Sequence, residues 1–531
     1  MTFLKRSGFE IVNYIYTQFF GLRFLLLIFI YSLAFHSNAQ TFEVYADDNR
    51  VKVHEQNDVP SIHGLSSYKF ARITYIGKPI GINIQSTDLN FNHSEWSISP
   101  KRYKIKGEKS GNQLSFKIDR LGYVVIRLKQ NQDFTKRLVL LFEAPELVPE
   151  NRINIVDFYD VDNSGEKNET SKIQRALDDI SGTENVLYFP PGKYKSYKLE
   201  FRSNSRIHLN KNARIIADDH SLSSYISDDK TKINHFILIK DVQNLQISGL
   251  GTLDGNGTQI NGLSHPDQSI KIGGMRLLLI YRSRNIQIEG IILKDAGRWN
   301  THILNSEHIS FRYCKLMNNP AESKYLGSLD GWDPDSSSDI LIENSFGWAG
   351  DDTVAIKCTG WGENQEMIPN AERITIRNNV FLTKKSALKI GTETYCELMQ
   401  NIIFENNDII ESDRVLGINV RDGASVKEVL FKNIYADHCH PDRKQTAINF
   451  YITKRNRYTS SLGKIQNITI EDCNFEEAFA NKLAFFRYYS ETKKKDLSVH
   501  LKNVFIGGKK IEEIDTNFFD PEKNNAELSF N

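Results

Sequence analysis

Residues 328–357 read SLDGWDPDSSSDILIENSFGWAGDDTVAIK. Two groups of aspartates, Asp330, Asp333 and Asp335, then Asp351 and Asp352, flank the run Asp339-Ile340-Leu341-Ile342-Glu343-Asn344. That run alternates apolar and polar residues as a strand does and ends in a residue that accepts a tight bend. Rungs of a β-solenoid run to roughly 20–25 residues and stack at ~4.8 Å, so Asp330 and Asp352 fall about one rung apart and their carboxylates meet over one groove.

Paired carboxylates are what glycoside hydrolysis requires, one protonated to serve the leaving oxygen and another to activate water or attack carbon. Crowding acids raises at least one pKa by like-charge repulsion and so supplies the protonated member. A calcium or turn site uses the same residues, because Asp-rich loops hold hard cations and Asp favours turns locally. Spacing alone leaves both readings open.

Outward from this stretch the plan repeats. Asn244-Leu245-Gln246-Ile247, Asn285-Ile286-Gln287-Ile288, His308-Ile309-Ser310-Phe311, Arg373-Ile374-Thr375-Ile376, Asn401-Ile402-Ile403-Phe404, Glu428-Val429-Leu430-Phe431, Asn467-Ile468-Thr469-Ile470 and Ser498-Val499-His500-Leu501 all alternate apolar residues inward. Asn344, Asn378, Asn406 and Asn433 at the bends read as stacked structural corners, since ladder-forming Asn suits parallel stacks. The tail from about Lys509 is charged and reads as peripheral.

Upstream, Ser171 to Ile180 has helical spacing with Ile173, Ala176, Leu177 and Ile180 on one face and Ser or Thr before it as a cap. Phe189-Pro190-Pro191-Gly192-Lys193-Tyr194 follows, and this order resembles the opening of right-handed parallel β-helices, where a helix covers the unpaired first coil. Residues 41–149 instead show short alternating strands such as Ala71–Ile76, Leu114–Ile118 and Tyr123–Leu128 between turn-rich pieces, which predicts a small antiparallel β-sandwich. Trp96 within it reads as a core residue. Prolines at Pro145 and Pro149 mark the boundary. The fold class is therefore all-β, a sandwich over 41–149 followed by a right-handed parallel β-helix over 153–520.

Residues 1–39 carry Lys5, Arg6 and Arg23, an apolar run from Phe24 to Phe35, and Ser37-Asn38-Ala39-Gln40, which suits export and cleavage after Ala39. The run is shorter than the ~20 apolar residues of a membrane span. The expectation is a secreted or periplasmic protein with no membrane attachment after cleavage. Among 531 residues, 67 Lys+Arg against 66 Asp+Glu give a net charge of +1, so no global field points to nucleic acid or a membrane. Five cysteines, Cys314, Cys358, Cys396, Cys439 and Cys473, show no CxxC spacing for zinc and read mostly as core, with coil-to-coil disulfides left open.

The stretch 328–357 resembles the signature of glycoside hydrolase family 28, the polygalacturonases and their relatives: N-T-D-G-x-D, a D-S-S run, then G-D-D-x-x-A-I-K one coil later. Here it reads Leu329-Asp330-Gly331-Trp332-Asp333-Pro334-Asp335-Ser336-Ser337 and Gly350-Asp351-Asp352-Thr353-Val354-Ala355-Ile356-Lys357. Arg298-Trp299-Asn300-Thr301-His302 is similar to the family's aromatic-x-x-His run, in which Trp299 would shape a sugar subsite and His302 would orient a carboxylate. Two departures stand out. Ser386 occupies the histidine position of the family's G-H-G-x-S-I-G, and Asn419-Val420-Arg421 stands where the family has R-I-K, so Arg421 keeps one cation of two. Arg421 with Lys357, Lys384, Lys385 and Lys389 is expected to form a basic rim for a uronate carboxylate or sulfate.

The resemblance implies an inverting hydrolase of α-linked acidic polysaccharide, pectin-like or another uronate or sulfated glycan, with Asp351 as general acid and Asp330 and Asp352 activating water. It implies no cofactor, no metal and a monomer with a polysaccharide as its partner. A dextranase-like hydrolase of neutral glucan, a polysaccharide lyase and a non-catalytic glycan-binding solenoid are the rival readings. The insertion from Gly360 to Asn370 is placed to close one end of the groove or to be an idle loop.

Overall fold

A computed structural model describes residues 42–55, 68–86, 90–130, 133–220, 233–262, 274–318, 328–362, 367–438, 447–458, 460–476, 484–488, 496–514 and 526–531. The export signal expected at 1–39 lies outside these residues. No helix among them is long and apolar enough to cross a membrane.

Strands from Phe42–Ala46 to Asp133–Glu143 form two five-stranded sheets. Alternation drives their packing: Ile80–Ser86 buries every second residue, and Ile82, Ile84, Leu114, Phe116, Ile126 and Leu140 fill the space between the sheets. Trp96 packs on this core from its margin, edge-on to Phe91. The pairing is antiparallel with one exception, because Asp133–Glu143 runs parallel to Tyr68–Thr74. The strand that returns to the solenoid is thus the central one of its sheet.

The rest is a right-handed parallel β-helix. Among the described residues it has three sheets: sheet I, thirteen strands from Arg152–Asn154 to Glu527–Phe530; sheet II, thirteen from Ser164–Asn168 to Lys509–Lys510; sheet III, ten from Leu199–Glu200 to Ala484–Tyr488. All nine runs of the repeat lie on sheet I, and their inward Ile, Leu, Val and Phe form one continuous core. Asn344, Asn378, Asn406 and Asn433 take φ values of +51 to +57° at the bends, where asparagine is tolerated better than most residues.

The helix Thr170–Asp179 buries Ile173, Ala176 and Leu177 and lies against Leu199–Glu200, standing where the first coil would have put a sheet III strand. Its cap differs from expectation. Glu169 is the N-cap and makes no side-chain capping bond, whereas Thr170 Oγ1 accepts from the Tyr197 N–H at 2.8 Å and so staples the helix to the following coil. The tail differs too. Glu527–Phe530 pairs with Leu497–Lys502, and Leu528 and Phe530 pack on the core, so the solenoid runs beyond 520. Cys314, Cys358, Cys396 and Cys473 are buried free thiols; Cys439 lies outside the described residues.

Candidate active site

The acidic stretch lies on sheet III, and strand alternation decides which side chains it presents. Trp332, Val354, Ile356, Leu388 and Ile390 enter the core, so Asp333, Asp335, Lys357 and Lys389 point out of the bore. Parallel register then sets neighbours: His302 beside Asp333, and Asp335 beside Lys357. Asp330, Asp351 and Asp352 sit in the turns just before their strands. Those turns are tied rung to rung by the Gly331 N–H on the Asp352 carbonyl and the Trp332 N–H on that of Thr353, both at 2.9 Å. A Cβ on Gly331 would stand 2.4 Å from the Thr353 oxygen, so only glycine permits this approach.

The acids occupy contrasting environments. Lys357 Nζ donates to Asp330 Oδ2 at 2.6 Å and lies 2.7 Å from Asp333 Oδ1, yet no hydrogen bond is aligned to either Asp333 oxygen. Burial therefore pushes the Asp333 carboxyl well up against the pull of Lys357, while Asp330 is raised by burial with Lys357 opposing. Asp352 is opposite in sign. It accepts from Lys389 Nζ at 2.5 Å and from the Ser386 N–H at 2.9 Å, and against the upward push of burial the charges of Lys389, Arg414 and Lys357 hold it below the usual carboxylate range. Asp351 is part-exposed, and its carboxyl has no hydrogen-bond partner among the described residues. Burial, then the charges of Asp330 and Asp352, push it well above the usual range.

A second network flanks the cluster. His302 Nε2–H donates to Asp335 Oδ2 at 2.9 Å, and His302 Nδ1 accepts from Arg276 Nε at 3.3 Å, which fixes a neutral ring whose pKa burial lowers to about 4. Asp335 also accepts from Thr359 N–H and Oγ1, at 2.8 and 2.5 Å, and is held low. Trp299 stacks on Trp361 with centroids 5.3 Å apart, meets His302 edge-on at 5.0 Å, and carries Lys357 Nζ 3.5 Å from its ring centre.

The structure thus brings Asp330, Asp351 and Asp352 together with Trp299 and His302 on one face. His302 meets a carboxylate as expected, that of Asp335, a residue the sequence reading did not place in the site. Two expectations change. Lys357 and Lys389 are buried counter-ions of the acids and leave the rim, because alternation aims them at carboxylates on adjacent rungs. Ser386 supports Asp352 through its backbone N–H; its hydroxyl is buried without a partner. Arg421 lies past the end of the strand Arg414–Val420, with its backbone N–H on Thr394 Oγ1 and its Nε buried and unpaired. Arg276 and Trp361 escaped the sequence reading. A lone arginine opening the apolar run Leu277-Leu278-Leu279-Ile280, and a tryptophan at the mouth of the Gly360–Asn370 insertion, were the available signals.

A model of glycosyl hydrolases family 28 matches residues 186–517. An exopolygalacturonase of Cochliobolus carbonum is 26% identical over 187 residues, 34% of this chain and 39% of that protein. A probable polygalacturonase of Vitis vinifera is 25% identical over 288 residues, 51% of this chain and 57% of its own length. The chain therefore spans well under two thirds of these relatives. The polygalacturonase of Erwinia carotovora ssp. carotovora superposes with a TM-score of 0.56 at 19% identity, covering 73% of this chain and 99% of that one, a likeness of fold.

Proposed function

The chain belongs to family 28 of the glycosyl hydrolases, and from that premise we propose that it is a secreted enzyme cleaving α-linked acidic polysaccharide, pectin or a related uronate or sulfated glycan, with inversion. The observation that carries this is the split among three neighbouring acids. Asp351 is part-exposed, unpartnered and pushed up, so it keeps its proton and donates it to the leaving glycosidic oxygen. Asp352, held ionised by Lys389, and Asp330, paired with Lys357, accept a proton from the attacking water. Water attacks the anomeric carbon as the bond to the leaving oxygen breaks, so the new hemiacetal has the opposite configuration. Lys357 and Lys389 keep the base side charged in a buried site, and Trp361, 37% exposed and backed by the buried Trp299, offers an apolar wall for a sugar face.

The test is Asp351→Asn, with circular dichroism to verify the fold. Release of reducing ends from polygalacturonate is expected to fall at least 100-fold, the lower end of a general-acid contribution of about 10²–10⁴. Near wild-type hydrolysis would remove Asp351 from the acid role. Proton NMR of the first product reports its anomeric configuration, and retention would defeat the inverting assignment.

A further inference from the structure

We propose that Arg276 and Arg298 form an anion subsite that takes the carboxylate or sulfate of a sugar at the end of the groove opposite Arg421. The inference rests on the reading of the chain as a glycan hydrolase and adds a contact upstream of the acids. Arg276 heads the strand Arg276–Tyr281, and Arg298 adjoins Trp299 on the next rung, since Leu278 pairs with Thr301. From there, Thr301 pairs with Trp332 and Trp332 with Val354, so the arginines stand on the rungs before Asp330 and Asp352.

Arg276 is 3% exposed, and its guanidinium lies 5.0 Å from the ring centre of Trp299 and 5.5 Å from that of Trp361. Its Nε is taken by His302, which leaves the Nη edge for another acceptor. Arg298 also lies on Trp299, 5.9 Å from its ring centre, with Nε buried and without a hydrogen bond. No carboxylate lies within ion-pair distance of either arginine among the described residues. Asp333, Asp335 and Asp330 act on Arg276 only from beyond ion-pair distance, and Asp335 is bonded to it through the neutral His302.

Two guanidinium groups this close repel, and the charge of Arg298 adds to burial in bringing Arg276 down to about 9. Burying a cation with no carboxylate in direct contact is costly, and stacking on tryptophan and the more distant aspartates offset only part of that cost. An oxyanion between the two forks would satisfy both, because arginine binds carboxylate and sulfate oxygens in pairs. The exposed Trp361 ring beside it would meet the face of the same sugar.

The experiment is calorimetric titration of the Asp351→Asn protein with trigalacturonate, its methyl ester and a sulfated galactan oligosaccharide, with and without Arg298→Gln or Arg276→Lys. Arg298→Gln is expected to weaken the acidic ligand roughly ten-fold and leave the ester unchanged, as loss of one charge-assisted contact should. Arg276→Lys, which keeps the charge and loses the fork, is expected to act in the same direction. Whichever of galacturonate and sulfated galactan loses affinity identifies the anion. Equal weakening of acid and ester, or no weakening in either variant, overturns the subsite. Reducing-end release by the unsubstituted protein is read in parallel. Failure to cleave any acidic glycan defeats the functional reading, whereas cleavage with an unchanged acid-to-ester ratio defeats this inference alone.

Discussion

At the residue scale the site turns on Lys357, which touches Asp330 and Asp333 and rests on the face of Trp299. Its charge opposes the upward push of burial on Asp330, so replacing it by an apolar side chain lets that pKa climb further. Asp330 must be ionised to accept a proton, and a higher pKa means it ionises only at higher pH. Lys357→Met is therefore expected to move the acidic limb of the kcat/KM profile upward and to cut the rate near the old limb about ten-fold per pKa unit. A drop in thermal stability with the limb unmoved would reduce Lys357 to a structural role. The same geometry marks what spacing could show. The motif places Asp330, Asp351 and Asp352, since rung length alone stacks them. It does not reveal that Lys357 and Lys389 face acids, because a lysine on a groove wall and one on its rim have the same pattern until register is known.

Among elements, the corners of sheet I show the sequence half legible. Asn378 and Asn406 announce a bend, and the bend is there, but the buried network runs through the next residue of each pair. Cys314 N–H donates to Ser345 Oγ, Ser345 N–H to Asn379 Oδ1, and Asn379 N–H to Asn407 Oδ1, at 3.1, 2.8 and 3.1 Å. Asn379 Nδ2 and Asn407 Nδ2 return bonds to the Ile342 and Ile376 carbonyls. The doublets Asn378-Asn379 and Asn406-Asn407 were the visible sign of two jobs, one for the left-handed backbone and one for the ladder. Asn379→Ala orphans the Ser345 N–H, worth about 1–3 kcal/mol when buried unmet, and strips the Asn379 bond from the Ile342 carbonyl. Asn378→Ala pays only the left-handed strain of about 1–2 kcal/mol. Denaturant midpoints should rank Asn379→Ala as the more damaging, and the reverse order would deny the ladder its weight.

For the whole molecule, the question is what joins sandwich to solenoid. Val125, Val139 and Leu141 of the sandwich pack on Phe346, Trp348 and Leu382 of sheet II, and two buried ion clusters pin the seam. In one, Glu143 holds Arg72 of the sandwich at 2.8 Å and Lys315 of sheet II at 2.7 Å, and those cations overcome burial to bring it down to about 2. A lowered carboxyl stabilises fully above its unfolded value of about 4.5 and loses that contribution as pH falls towards 2, so the seam should weaken in acid, by on the order of 3 kcal/mol. In the other, Glu411 of sheet II sits 2.6 Å from Arg137 Nη2 and 3.3 Å from Arg127 Nη1, all three side chains being nearly fully buried. Glu411→Ala removes the carboxylate that Arg137 pairs with among the described residues, while Arg127 keeps the Ile410 carbonyl, Ser99 Oγ and Asp437. Stranding the buried Arg137 cation typically costs about 3–5 kcal/mol, far more than loss of a surface pair would. Because the cost falls on the seam and neither core is touched, calorimetry is expected to show one transition for the unsubstituted protein and two for Glu411→Ala, the sandwich melting first. One unshifted transition would mean that the apolar contact of Trp348 and its neighbours holds the two parts together without the ions.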